Sequence, residues 1–240
     1  MGAIALKDVT LGYGRRPAVS GLSGVFAQGC ATAVIGPNGS GKSTLLKALA
    51  GLQPPLSGTI DLGGLPRRRI AYLPQDPGVA RGFPITLADF AALGFERRLG
   101  LFGGLGGGER AELAAALDAV GLHGLEQRGV DALSGGQFQR ALFARVMAED
   151  APVILLDEPF AAQDGQTTAD LLKVIRRWAN EGRTLIIVLH DLALARTLSQ
   201  ETLVLARRCV AWGPTETVLT PDHLRRAQEA CGRWPEEDAA

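Results

Sequence analysis

The stretch GPNGSGKST, from Gly36 to Thr44, limits what this chain can fold into more than any other feature. It fits G-x-x-x-x-G-K-[ST] in full between Gly36 and Ser43. The apolar run ATAVIG leads into it and the helically spaced STLLKALAGL follows, so strand, turn and helix come in the order that a phosphate cradle needs. Glycines let backbone amides wrap an anion with no Cβ in the way. The helix N-terminus adds a favourable dipole of order 1 kcal/mol. Gly36, Pro37, Asn38, Gly39, Ser40 and Gly41 are the expected loop. Lys42 is expected to reach the β- and γ-phosphates, the Ser43 hydroxyl to ligate Mg²⁺, and Thr44 to lie beside the α- and β-phosphates. Alone, the motif reads as a P-loop nucleotidase on an α/β sheet.

The rest of the chain is compatible with that. At 240 residues and 46% hydrophobic it can bury a sizeable core, as one large α/β domain or as two lobes sharing an interface. Lys plus Arg equal Asp plus Glu at 25 each, which argues against a dedicated nucleic-acid binder. The paired and tripled arginines read as solvated surface. Cys30, Cys209 and Cys231 are far apart and form no CxxC, so neither a disulfide framework nor a zinc ribbon is expected, in keeping with a reducing cytosolic setting. MGAIALKDVT lacks a basic segment followed by an apolar run, so no signal peptide is read. The longest apolar run, LIIVL, is far short of the ~20 residues that a spanning helix needs. A soluble chain is expected, and at a membrane another chain would supply the span.

Short strands and turns are expected over the first thirty residues. From about 84 to 150 the pattern turns helical, broken by the glycine-rich FGGLGGG at 102–108, which reads as a mobile loop. Strand–helix alternation resumes with APVILLDEP, a helix over about 166–181, and the strand RTLIIVLH at 183–190. The expected organisation is one domain over 1–225, with a core lobe of about 1–83 and 151–225, a helical lobe of about 84–150, and a tail over 226–240.

Five further sites follow from position. VILLDEP runs down a buried strand to Asp157 and Glu158 at its C-terminal end, where open α/β sheets bind ligands. Asp157 is placed to hold Mg²⁺, through water, and Glu158 to polarise the attacking water. His190, at the end of another core strand, is expected near the same edge, positioning that water. Gln75, ending YLPQ, is expected to touch Mg²⁺ and the water, and Tyr13 in LGYG to stack on an adenine. Finally, LSGGQ places Ser134, Gly135, Gly136 and Gln137 in a second phosphate-ready turn that opens a second helix. A second anion site makes sense if it serves another molecule's nucleotide, in a head-to-tail pair with two composite sites.

The series Tyr13, GPNGSGKST, Gln75, LSGGQ, VILLDEP, Asp164, His190 resembles the nucleotide-binding subunit of ABC transporters over roughly residues 3 to 225. The resemblance implies a parallel-sheet core lobe with an antiparallel β subdomain and a helical subdomain. It implies ATP and Mg²⁺, ATP-driven closure of a homodimer, and reopening on hydrolysis. Ser134 and Gly136 would contact the partner's γ-phosphate, and Asp164 would cross the dimer interface, although Ala162-Gln163 before it depart from the common Ala-Leu. Long coiled coils between Gln75 and Ser134, and a second cassette, are both missing from the sequence, which sets aside the DNA-repair and translation classes.

GFPITLADFAALG (82–94) is similar to the ATPases of zinc and manganese uptake systems, and FARVMAEDAPVILLDEPFAAQD and VAWGPTETVLTPDHL to the zinc branch in particular. By that resemblance the chain sits peripherally on the cytoplasmic face of the inner membrane. It engages integral-membrane permease subunits near Gln75 and residues 82–94, served by an extracytoplasmic metal-binding protein. Zinc is the expected cargo; manganese or iron(II), then cobalamin, siderophores or branched-chain amino acids, are the alternatives. His123, His190 and His223 have no paired ligand spacing, so no zinc site is assigned to the chain itself.

Overall fold

The computed structural model describes residues 2–14, 16–75, 84–100, 103–161 and 165–232. The strands are β1 (Ile4–Tyr13), β2 (Arg16–Phe26), β3 (Ala31–Ile35), β4 (Ser57–Asp61), β5 (Ile70–Leu73), β6 (Val153–Asp157), β7 (Thr184–Val188), β8 (Glu201–Leu205) and β9 (Cys209–Pro214). The helices are α1 (Lys42–Leu49), α2 (Leu87–Ala92), α3 (Glu96–Leu99), α4 (Gly107–Ala119), α5 (Gly135–Glu149), α6 (Gly165–Asn180), α7 (Leu192–Leu198), α8 (Thr215–Val218) and α9 (Pro221–Gly232).

The main sheet has the order β5-β6-β7-β3-β8-β9, parallel except for the antiparallel β8–β9 edge. Its inner strands are buried on both faces, which is why ATAVI, VILLD and TLIIV read as continuous apolar runs rather than alternating ones. The pleat divides each strand between two cores. Ile154, Leu156, Leu185 and Ile187 pack with α5, α6 and the helices between β5 and β6. Val153, Leu155, Ile186 and Val188 pack with α1 and with the second, antiparallel sheet β2-β1-β4. That second sheet begins with strands of 10 and 11 residues joined by irregular register, longer than the short strands expected there.

Between β5 and β6 the chain runs through α2 to α5. These helices have no core of their own apart from the sheet: Phe90, Phe95 and Phe143 belong to the same buried cluster as β6 and β7. The Phe143 and Trp178 rings, stacked 5.8 Å apart, tie α5 to α6. The last two residues of the FGGLGGG segment, Gly107 and Gly108, are the start of a helix rather than a loop. Gly106 donates its N–H to the Glu109 carboxylate at 3.0 Å and Gly107 begins α4.

The expected boundary after residue 225 falls inside α9, which continues to Gly232. Ala227 is buried in the core, so the helix is docked past that point. Asp164, residues 82–83 of the expected docking segment and residues 233–240 of the tail lie outside the described residues.

Candidate functional site

The chain leaves β3 at Ile35 and enters a loop that only glycine can form at several points. A Cβ on Gly36 would stand 2.0 Å from the Leu205 carbonyl oxygen. Gly41 has φ +96°, and a Cβ there would meet Val19 Cγ2 at 2.2 Å. Ser40, fully buried, gives the loop a floor: its carbonyl accepts from Arg207 N–H at 3.0 Å, so the β8–β9 turn holds the loop from below. Lys42 curls its ammonium back over the loop and donates to the Gly36 and Pro37 carbonyls at 2.8 and 3.0 Å. Burial lowers the Lys42 pKa, while the Glu158 and Asp157 charges work in the other direction.

Asp157 ends β6 and is 1% exposed. Its Oδ1 accepts from the Ser43 hydroxyl at 3.1 Å and its Oδ2 from the Tyr72 hydroxyl at 3.3 Å. Burial pushes the Asp157 carboxyl upward, and the two hydroxyls that bond it pull it back. Burial also raises the Tyr72 phenol, with the Asp157 charge as the next cause.

Glu158 follows with φ +51°, a left-handed backbone that side chains rarely adopt. Its Oε2 accepts from Gln75 Nε2 at 2.8 Å, and His190 Nε2 lies 2.5 Å from its Oε1. The sheet order explains the pair. β5 and β7 flank β6, so Gln75 and His190, each two residues past its strand, close on Glu158 from either side. The sequence placed both at strand ends; each stands instead in the loop beyond its strand.

Asn38 to Thr44, Gln75, Glu158 and His190 line one open cleft of about 550 Å³. The expected loop, Gln75, Glu158 and His190 are thus brought together, with Asp157 beneath. The Ser43–Asp157 hydroxyl–carboxylate pair is an all-oxygen donor set of the kind that Mg²⁺ prefers. Among the described residues no group of three or more His, Cys, Asp or Glu could hold a metal; Gln75, also expected to touch Mg²⁺, lines the same cleft and gives its amide nitrogen to Glu158.

The other expected site residues stand elsewhere. Tyr13 is 59% exposed at the end of β1, outside the cleft lining. Ser134 caps α5: its Oγ accepts from Gln137 N–H at 3.2 Å, while Gln137 Oε1 accepts from Ser134 N–H at 3.0 Å. Nothing lies within 4 Å of a Cβ built on Gly135, and none of Ser134, Gly135, Gly136 or Gln137 lines the cleft. The Ser134–Gln137 cap is therefore complete in itself, with open space beside Gly135.

Two residues escaped the sequence reading. Gln139 Nε2 donates to the Pro159 carbonyl at 3.0 Å, joining α5 to the loop after Glu158. The signal for Tyr72 is a phenol on a buried strand, which needs a hydrogen-bond partner.

The family model described as ABC transporter matches residues 19–161. The zinc transport system ATP-binding protein TroB of Treponema pallidum (strain Nichols) is 36% identical over 229 residues, 94% of this chain and 86% of that protein. The manganese transport system ATP-binding protein MntB of Bacillus subtilis (strain 168) is 36% identical over 227 residues, 93% of this chain and 91% of that protein. A solved ATP binding subunit of an ABC transporter superposes with a TM-score of 0.79 at 25% identity, covering 96% of this chain and 95% of that one.

Proposed function

The chain belongs to the ABC transporter family as an ATP-hydrolysing, ATP-binding subunit, and from that premise we propose that it powers uptake of a divalent metal, zinc as the first reading and manganese as the second. The observation that carries the hydrolytic part is the cleft, where a phosphate loop faces a carboxylate held between Gln75 and His190. The metal reading is supported by relatives that match along nearly the whole chain and are named for metal transport. Both metals are kept because the zinc-named and manganese-named relatives are equally similar, at 36% identity each.

The loop amides and the Lys42 ammonium bind the phosphates, Lys42 exchanging its Gly36 and Pro37 carbonyls for phosphate oxygens. Ser43 and Asp157 would hold Mg²⁺, which when bound offsets charge on the phosphates. Glu158 takes a proton from the attacking water, with Gln75 and His190 orienting its two oxygens. Tyr13 stacks on the adenine. Two copies pair head to tail, so that Ser134 and Gly136 of one face the phosphate loop of the other. The outward-facing start of α5, away from its own cleft, supports that pairing. Closure pulls on permease subunits docked beside Gln75 and α2, at the cytoplasmic face of the membrane, and an extracytoplasmic metal-binding protein delivers the cargo.

Deleting the chain in its host and measuring cellular zinc, manganese and iron tests this reading. A selective fall in zinc, restored by the wild type and not by Glu158→Gln, is expected. A fall in manganese instead moves the cargo to the second reading. Unchanged content of all three metals, together with normal growth under each metal's chelation, sinks the metal reading.

A further inference from the structure

We propose that Tyr72 is a positioning residue of the nucleotide–cation site, holding the Asp157 carboxylate so that one chosen oxygen stays with Ser43. The proposal rests on the ATPase reading above and adds a residue to it.

Tyr72 and Asp157 stand on neighbouring parallel strands: Tyr72 is level with Leu155, two residues short of Asp157. Both are largely removed from water, at 9% and 1% exposure. The Tyr72 ring packs in the core with Ile70, Val153 and Leu155, a volume that a phenylalanine ring would fill equally well. Its hydroxyl makes a different contact, donating to Asp157 Oδ2 while Ser43 donates to Oδ1. The carboxylate is therefore gripped on both oxygens, and turning it about Cβ–Cγ breaks two hydrogen bonds at once. With the phenol hydroxyl removed, Oδ2 is a buried carboxylate oxygen that has lost this partner, which favours rotation or displacement of the group. The loop hydrogen bonds of Lys42 and Ser40 do not involve Tyr72 and stay as they are. Tyr72 thus acts on the cation end of the site and not on the phosphate loop.

Tyr72→Phe keeps the ring and removes only the hydroxyl. The purified full chain would be titrated with a fluorescent ATP analogue, first in EDTA and then across a Mg²⁺ series. Mn²⁺ binding in the presence of ATP would be followed by EPR. Affinity in EDTA is expected to match wild type, while the Mg²⁺ or Mn²⁺ concentration at half-effect rises roughly 10-fold, as when a partner that orients a metal ligand is lost. Turnover at saturating Mg²⁺ should recover much of the wild-type rate. Tyr72→Leu, which also loses the ring, is expected to show the same cation shift plus a lower melting temperature. An unchanged cation dependence in Tyr72→Phe overturns the proposal, as does an equal loss of affinity with and without cation, since that is a folding or loop effect. A wild-type chain that binds no nucleotide in either condition would instead sink the ATPase reading, and this role with it.

Discussion

His190 Nε2 lies 2.5 Å from Glu158 Oε1, on the far side of the carboxylate from the Gln75 amide. His190 is 49% exposed along its side chain and Glu158 only 12%, so the pair spans the wall of the cleft from solvent to interior. A carboxylate with both oxygens engaged is held in one orientation, as a base that must meet a single water requires. It is also held in a backbone shape, φ +51°, that its surroundings must sustain.

Glu158→Gln keeps the shape and both neighbours and removes the proton acceptor. Turnover is expected to fall by at least about 100-fold, the scale of a lost general base, with ATP affinity within about twofold of wild type. Because the chain would close on ATP and fail to reopen, a dimer should accumulate in excess ATP on size exclusion with light scattering. A strictly monomeric variant, where wild type dimerises transiently, counts against ATP-driven closure.

Lys42→Ala tests the other wall. The ammonium is desolvated and stands over the loop carbonyls, ready to move onto phosphate. Loss of a charge-assisted contact worth about 1.5–3 kcal/mol should weaken ATP binding by roughly 10- to 100-fold. Equilibrium binding by isothermal titration reads this directly, and unchanged affinity with unchanged turnover would remove the loop from the nucleotide site.

The parts of this site that could be read in the sequence are those written in consecutive residues. The phosphate loop is one linear motif, and VILLD announces a strand ending at Asp157 because every residue of that strand is buried. What could not be read depends on strand order. Gln75 and His190 were expected at the same edge as Glu158, but that they take its two oxygens from opposite sides follows from the order β5-β6-β7. The Tyr72–Asp157 bond likewise follows from the register of β5 on β6. α9 hid its docking because PDHLRRAQEACG is mostly polar and meets the core through few positions, Ala227 among them. The Ser134–Gln137 capping box was legible as Ser-x-x-Gln, but the glycines between drew the reading to phosphate alone.

Glu149, near the end of α5, gives a pH test of stability. Its side chain is 9% exposed and Arg97 approaches only to 3.8 Å. Burial raises its pKa, and the attraction of Arg97 and Arg145 only partly offsets this. A carboxyl raised in the folded state costs stability once ionised. The fold therefore loses stability as pH rises from the ordinary glutamate value of 4.5 through the raised one. Glu149→Gln should melt higher than wild type at neutral pH, and the gap should close as pH falls below the ordinary glutamate range. A lower melting temperature at neutral pH would mean that the arginine contacts outweigh burial.

Ser134 separates local from intermolecular work at the LSGGQ turn. Its reciprocal hydrogen bonds with Gln137 account for its presence as a helix cap. Ser134→Ala should thus cost about 1 kcal/mol, or about 2–4 °C in melting temperature for a chain of this size. If the cap were its whole role, turnover in the dimer would follow that small loss of stability. Ser134→Arg fills the open space in front of α5, where a partner's nucleotide would sit. It should abolish turnover while ATP binding to the isolated monomer stays within about twofold of wild type. Mixing Ser134→Arg with Lys42→Ala discriminates further. A head-to-tail pair of the two variants has one composite site free of both changes and one carrying both, so partial turnover should return in the mixture. Loss of monomer binding in Ser134→Arg would instead mean that the turn serves its own chain's nucleotide, and no mixture would then recover activity.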